Sequence, residues 1–464
     1  MSKFAKQVME KYEIFLVIFL GLQPLIDVLT TYSLSLNINV TFGILIRFLI
    51  LFISIVYIFL KSLQLDQKKY IYYFLILFCV LAVGVVNNFN NKPIFSVGDE
   101  GKFIVKVVYL LVMLCAYLLS FKSLSSKLTV ENKLMRYLLL SSLIINIVFV
   151  ISIATGTSLT SYDFSKIGYS GWFFAGNEIG AILAISFPVI LLYSIRSTVA
   201  LKDIYKWIPS ILMIFSMLAV GTKVGYGACL ISLLVSLVMS FYELFQSRRT
   251  PALKTHKLRS LILSAITIML ILITPFTPIY KNTFTHLNLL GIDLTAKDNP
   301  NIKNKESEKK TNNHHKTEKQ ETINKKQIEN LVLSSRDVFL DKQKNDYQKA
   351  PISQKLFGLG YAGNYTDVPK MIEMDFYDIF FSFGIVGSLV LIFPLIYLGF
   401  KLIFYASSNL KKVFNLKYAL YVVSLLLAFG IAFSAGHVLT APAVSIYISA
   451  IFAFLLVDLQ IKGA

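Results

Sequence analysis

Charge is scarce in this chain, and so is cysteine. Only 15% of its 464 residues are Asp, Glu, Lys or Arg, against 56% hydrophobic, and the mean hydropathy is +0.66. That shortage excludes a water-soluble domain, whose core cannot absorb so large an apolar share. The fold class expected is an all-α polytopic membrane protein. The three cysteines, Cys79, Cys115 and Cys229, all lie inside apolar runs. Cysteine there behaves as a small hydrophobe, so neither a disulfide framework nor a metal site is expected. The basic N-terminus, MSKFAKQVMEKYE, also lacks a small-residue cleavage site before the apolar run that follows it. It reads as a retained first span rather than a signal peptide.

What is present is a series of apolar runs of the length needed to cross a bilayer, about 20 residues each. They fall at 14–33, 40–60, 70–89, 103–121, 137–155, 174–195, 207–222, 226–244, 258–280, 374–400, 418–435 and 440–457. Twelve spans place both termini on one side. Basic residues test the count, because they favour cytoplasmic loops. They gather near Lys3, Lys61, Lys122, Arg196, Arg248 and Lys401, in alternate loops, while segments such as SLSLNIN and GHVL are nearly free of charge. The formal net charge of +19 is thus accounted for by cytoplasmic loops and calls for no nucleic acid. A multi-pass protein of the cell membrane with cytoplasmic termini follows.

The organisation expected is helices one to nine over 1–280, a large extracytoplasmic loop over 281–373, and helices ten to twelve over 374–464. Within the loop, 297–330 is a lysine-, asparagine- and glutamate-rich tract too poor in apolar residues to repay the entropy of ordering it, and it is expected to be a disordered insert. His314 and His315 inside it have no acidic or cysteine partner at ligand spacing, so a solvated pair is expected rather than a metal site. A helix is predicted from about 335, with Ser334 or Ser335 as N-cap and Asp337 in the first turn, carrying Arg336 on the outer side. The glycine-rich LFGLGYAGN that follows reads as a connecting turn before it reads as a phosphate cradle.

Ionisable side chains inside apolar runs are costly and face a cavity or a partner. Asp27 and Arg47 form a candidate pair, for which a structural lock between the first two helices outweighs a direct catalytic role. Lys106, Asn177, Glu178, Lys223, Glu373, Asp375, Asp378 and His437 all fall toward the outer ends of their spans. Taken singly, each is as well explained by a side chain reaching for water. Together, their one-sided placement predicts an outward-facing polar chamber. The cations Lys223 and Arg336, with Arg47, suit a diphosphate, and Glu373 or Asp375 suits proton abstraction from a sugar hydroxyl. Asn177, Glu178, Arg47 and His437 are the expected substrate-binding residues. No metal or other cofactor is expected.

In four stretches the chain resembles the O-antigen ligase and polymerase family of membrane glycosyltransferases: FFAGNEIGAILAISFP, VGTKVGYGACL, SSRDVFL with LFGLGYAGN, and EMDFYDIFFSFGIVG. The likeness covers most of the chain in layout and implies a GT-C-like arrangement of about 12 transmembrane helices with one large external loop. It also implies a donor glycan on undecaprenyl diphosphate, a glycan or glycolipid acceptor, and inverting transfer without a metal. By the same likeness, Lys223 matches the basic residue of the family's short loop and Arg336 the arginine of its external-loop helix, the pair that holds the diphosphate. The family's histidine, eleven residues before the first glycine of its G-x-x-G, falls here on Glu373, a departure. A surface polysaccharide or teichoic-acid-like glycan is the expected product class, by ligation or by polymerisation. The competing class is a lipid-linked oligosaccharide flippase or transporter, which would carry internal repeats and polar groups at the midplane.

Overall fold

The computed structural model describes residues 3–38, 40–124, 127–161, 167–289 and 336–460. The tract at 297–330, its two histidines and the Ser334/Ser335 cap lie outside the described residues. The described residues are helical almost throughout. Helices α1 (Lys3–Ser35), α2 (Phe42–Gln64), α3 (Lys69–Asn91), α4 (Val97–Ser123), α5 (Lys127–Ala154) and α6 (Gly176–Ser197) make up the first half. After a 3-10 turn at Leu201–Trp207 come α7 (Ile208–Val220), α8 (Lys223–Gln246), α9 (Leu253–Ile273) and α10 (Pro278–Leu289). The rest comprises α11 (Arg336–Lys349), α12 (Ile352–Phe357), α13 (Asp375–Ser408), α14 (Leu410–Val413), α15 (Leu416–Ser434) and α16 (Pro442–Asp458). A two-strand ribbon, β1 (Leu159–Thr160) with β2 (Tyr169–Gly171), is antiparallel.

Eleven of these helices are long and apolar enough to cross a membrane, and the twelfth expected span forms the shorter apolar helix Pro442–Asp458. An all-α polytopic membrane protein is therefore the fold. The bundle's axis is α4, α6 and α16, whose middle residues, such as Met113, Ile185 and Tyr447, are fully enclosed. α4 packs along α16, and α15 along α6. The flanking helices α2, α3 and α9 keep apolar rows such as Phe52, Phe78 and Leu272 on the outside, as helices in contact with lipid do.

Ion pairs fasten one end of the bundle. Lys61 meets Glu13 at 2.8 Å, joining α1 to α2. Glu131 takes both Arg196 at 2.9 Å and Lys417 at 2.8 Å, and Lys417 also reaches Asp458 at 2.9 Å, so α5, α6, α15 and α16 share one network. The residues expected to carry the site lie at the opposite end.

Candidate active site

At that opposite end α13 begins with two carboxylates that are used up in holding loops. Asp375 is 1% exposed and accepts from the amides of His437 (3.0 Å), Val438 (2.8 Å) and Leu439 (2.7 Å) and from the Thr440 hydroxyl (2.7 Å). Asp378 accepts from the amides of Ile372 at 2.9 Å and Met374 at 3.1 Å. One helical turn thus clamps the loop before it and the α15–α16 loop beside it. The two loops meet because Gly436, at φ 64°, lets the backbone of Glu373 approach; a Cβ there would stand 2.4 Å from the Glu373 carbonyl oxygen. Glu373 (φ 65°) and His437 (φ 59°) are themselves left-handed, a conformation that side chains with a Cβ adopt only when their surroundings enforce it.

The result is a carboxylate ringed by cations. Glu373 lies 2.5 Å from Lys370 Nζ, 3.6 Å from Arg336 Nη2 and 3.6 Å from His437 Nε2. The two longer separations are ion contacts rather than formed hydrogen bonds. The imidazole of His437, and then the Lys370 ammonium, hold the Glu373 carboxyl down to about 2 against the opposing push of partial burial. For His437, burial pulls the imidazole down, but the neighbouring Glu373, with Glu178 and Asp375 behind it, outweighs burial and leaves it above its ordinary value. Lys370 also lies 5.5 Å from the centroid of the Phe339 ring, on the same α11 that carries Arg336.

A family model described as O-antigen ligase like membrane protein matches residues 9–462. The chain belongs to this O-antigen ligase-like family. Membership makes it a membrane protein of glycan processing and a glycosyltransferase-like enzyme. No curated protein and no solved structure matches the chain.

The remaining expected site residues of this ligase-like protein sit on neighbouring helix starts. Asn177 and Glu178 open α6, and Glu178 is within electrostatic range of Asp27, Arg47, His437 and Lys106, which links the α1–α2 corner to the Glu373 cluster. Lys223 opens α8 behind the Thr222 cap, whose hydroxyl accepts from the Gly225 amide at 3.1 Å. The turn before it is pinned by Asn282, which donates to Ile167 O (2.6 Å) and Gly221 O (3.0 Å). Thr222 Oγ1 would stand 3.7 Å from a Cβ at Gly180, so the starts of α6 and α8 are adjacent. Arg47 pairs with Asp27 and also donates to Gln23 Oε1 at 3.2 Å, binding α2 to α1.

Two features escaped the sequence. Lys370 lies in a loop without periodicity, and its only signal was its place three residues before Glu373. The second is the support beneath LFGLGYAGN: Glu100 accepts from the Tyr361 amide at 2.9 Å and from Lys92 Nζ at 2.6 Å, while Lys92 also donates to Tyr361 O at 2.8 Å. That loop packs backbone to backbone against α13, with Leu359 N on Phe381 O at 2.8 Å and Gly360 N on Ser382 O at 3.0 Å. Its glycines provide close approach for this packing.

Proposed function

We propose that this ligase-like protein transfers or polymerises a surface glycan from an undecaprenyl diphosphate donor at the outer face of the cell membrane. The observation that carries the reading is the Glu373 carboxylate with Arg336, Lys370 and His437 around it, at one end of a bundle whose family handles glycans. The acceptor hydroxyl attacks the anomeric carbon of the donor sugar from the face opposite the diphosphate. The carbon–oxygen bond to the diphosphate breaks, its electron pair leaves with the lipid diphosphate, and the hydroxyl proton passes to Glu373. The configuration at that carbon inverts. Arg336 and Lys223 meet the charge that develops on the leaving group, so the reading calls on no metal.

Glu373 is the base in preference to Asp375 because the Asp375 carboxylate already accepts four hydrogen bonds from the 437–440 loop. Asp375 instead fixes the backbone of His437. Glu178 and Asn177 line the substrate cavity, with Arg47 behind Glu178, and His437 binds substrate beside Glu373.

The test is Arg336→Ala. Transfer should fall by roughly a hundredfold or more, the scale of losing a transition-state charge partner, with membrane insertion unchanged. Normal glycan output from a strain carrying this variant rejects the reading. Profiling the surface glycan of a deletion strain separates the two reaction forms, since a polymerase loses chain length and a ligase loses attachment.

A further inference from the structure

The three cations around Glu373 are arranged as an anion seat, and the anion in it is the protein's own. Lys370 Nζ, Arg336 Nη2 and His437 Nε2 approach the two oxygens of one carboxylate at 2.5, 3.6 and 3.6 Å. These groups come from three segments: the start of α11, the loop before α13 and the α15–α16 loop. The seat is open, since the side chains of Lys370, His437 and Glu373 are 50%, 33% and 28% exposed. Cations meeting from separate segments suit a phosphate, which offers more acceptor oxygens than a carboxylate does. A carboxylate held by three cations is also a poor proton acceptor, because every cation favours its charged form.

The geometry points to Glu373 as a displaceable occupant: a donor phosphate takes over Lys370, Arg336 and His437, and the released carboxylate turns to the acceptor hydroxyl. Lys370 thereby becomes a further diphosphate-binding residue, and donor binding becomes the event that creates the base. Until the diphosphate is seated, the charge of Glu373 stays engaged by the groups around it and water is not activated at the site. This rests on the reading of the protein as a transferase from a lipid diphosphate, and it adds an order to it, donor before acceptor.

Two measurements on the purified full chain in detergent test the inference, both with undecaprenyl diphosphate as probe. In the first, affinity is compared for the wild type, Glu373→Gln and Glu373→Asp. Removing the competing charge should tighten binding by about tenfold or more, given the cost of like charges placed together, while Glu373→Asp stays near wild type. Adding Lys370→Ala to Glu373→Gln should reverse most of the gain. Equal or weaker binding by a monodisperse Glu373→Gln overturns the displacement while leaving the transferase reading in place. Failure of the wild type and every variant to bind the probe overturns both. The second measurement needs no variant: carbodiimide labelling of carboxyl groups, read by mass spectrometry, should rise at Glu373 when the probe is added. Unchanged or reduced labelling there overturns the inference.

Discussion

Glu373 is shifted down and His437 up by their contact, and this ties the contact to pH in a definite direction. Glu373 is depressed to about 2 from 4.5, so its contribution to stability is present above 4.5 and is lost only as pH falls toward 2. His437 is raised from 6.5, so its contribution is complete below 6.5 and is lost as pH rises through the raised value. The window in which both contribute fully therefore runs from 4.5 to 6.5. Glu178, Asp375, Lys370 and Arg336 face the same pair, and both members are partly exposed, so the effect is modest. The apparent melting temperature in detergent should decline above that window in the wild type, and the decline should flatten in His437→Gln. An identical pH profile in the two proteins would show that the imidazole is uncoupled from Glu373. Arg336 and Glu373 were singled out in the sequence by the loop helix and the G-x-x-G spacing, and the fold sets them 3.6 Å apart. That His437 sits beside Glu373 was not, since 64 positions separate them and only the clamp of Asp375 on the 437–440 loop brings them together.

Helix α13 is broken at Gly384, where φ 66° and ψ −168° leave the helical region. That conformation is nearly exclusive to glycine. The break lets the loop after α12 press against it: a Cβ at Gly384 would lie 2.4 Å from Gly358 N and 2.6 Å from the Leu356 carbonyl, and a Cβ at Gly358 would lie 2.1 Å from Ser382 O. None of these neighbours is the tip of a flexible side chain. Gly384→Ala should therefore cost about 2 kcal/mol or more from backbone strain alone, seen as a lowered apparent melting temperature. It should also lower activity, since the turn that carries Asp375 and Asp378 would move with the break. A variant that melts and transfers like the wild type would mean the α12 loop can withdraw freely. The sequence showed these glycines as a turn and as part of a recognised pattern. Their mutual contact required the fold, because backbone-to-backbone approach leaves no mark in side-chain periodicity.

For the whole molecule, hydropathy alone announced the bundle: runs of about 20 apolar residues became helices with shifted ends, and the last became a helix of 17 residues. Which end faces outward is a separate matter, for which the distribution of basic residues makes a prediction. Lys61, Arg196, Arg248 and Lys411 stand at the end away from Glu373, and basic residues in short loops are retained in the cytoplasm. Lys92, Lys281, Arg336 and Lys370 stand at the site end, but the last three belong to the long 281–373 segment, whose length removes it from the rule. Single cysteines on the two ends separate the orientations. With Cys79, Cys115 and Cys229 replaced, Asp367→Cys on the exposed loop near the site should react with a membrane-impermeant maleimide in intact cells. Lys411→Cys, beyond the end of α13, should react only after the cells are opened. Arg336, Lys370 and Glu373 travel with Asp367, so the reversed pattern would put the cation cluster in the cytoplasm. A donor presented on the outer leaflet would then have no path to it, and transfer at the outer face would be ruled out whatever the chemistry of Glu373.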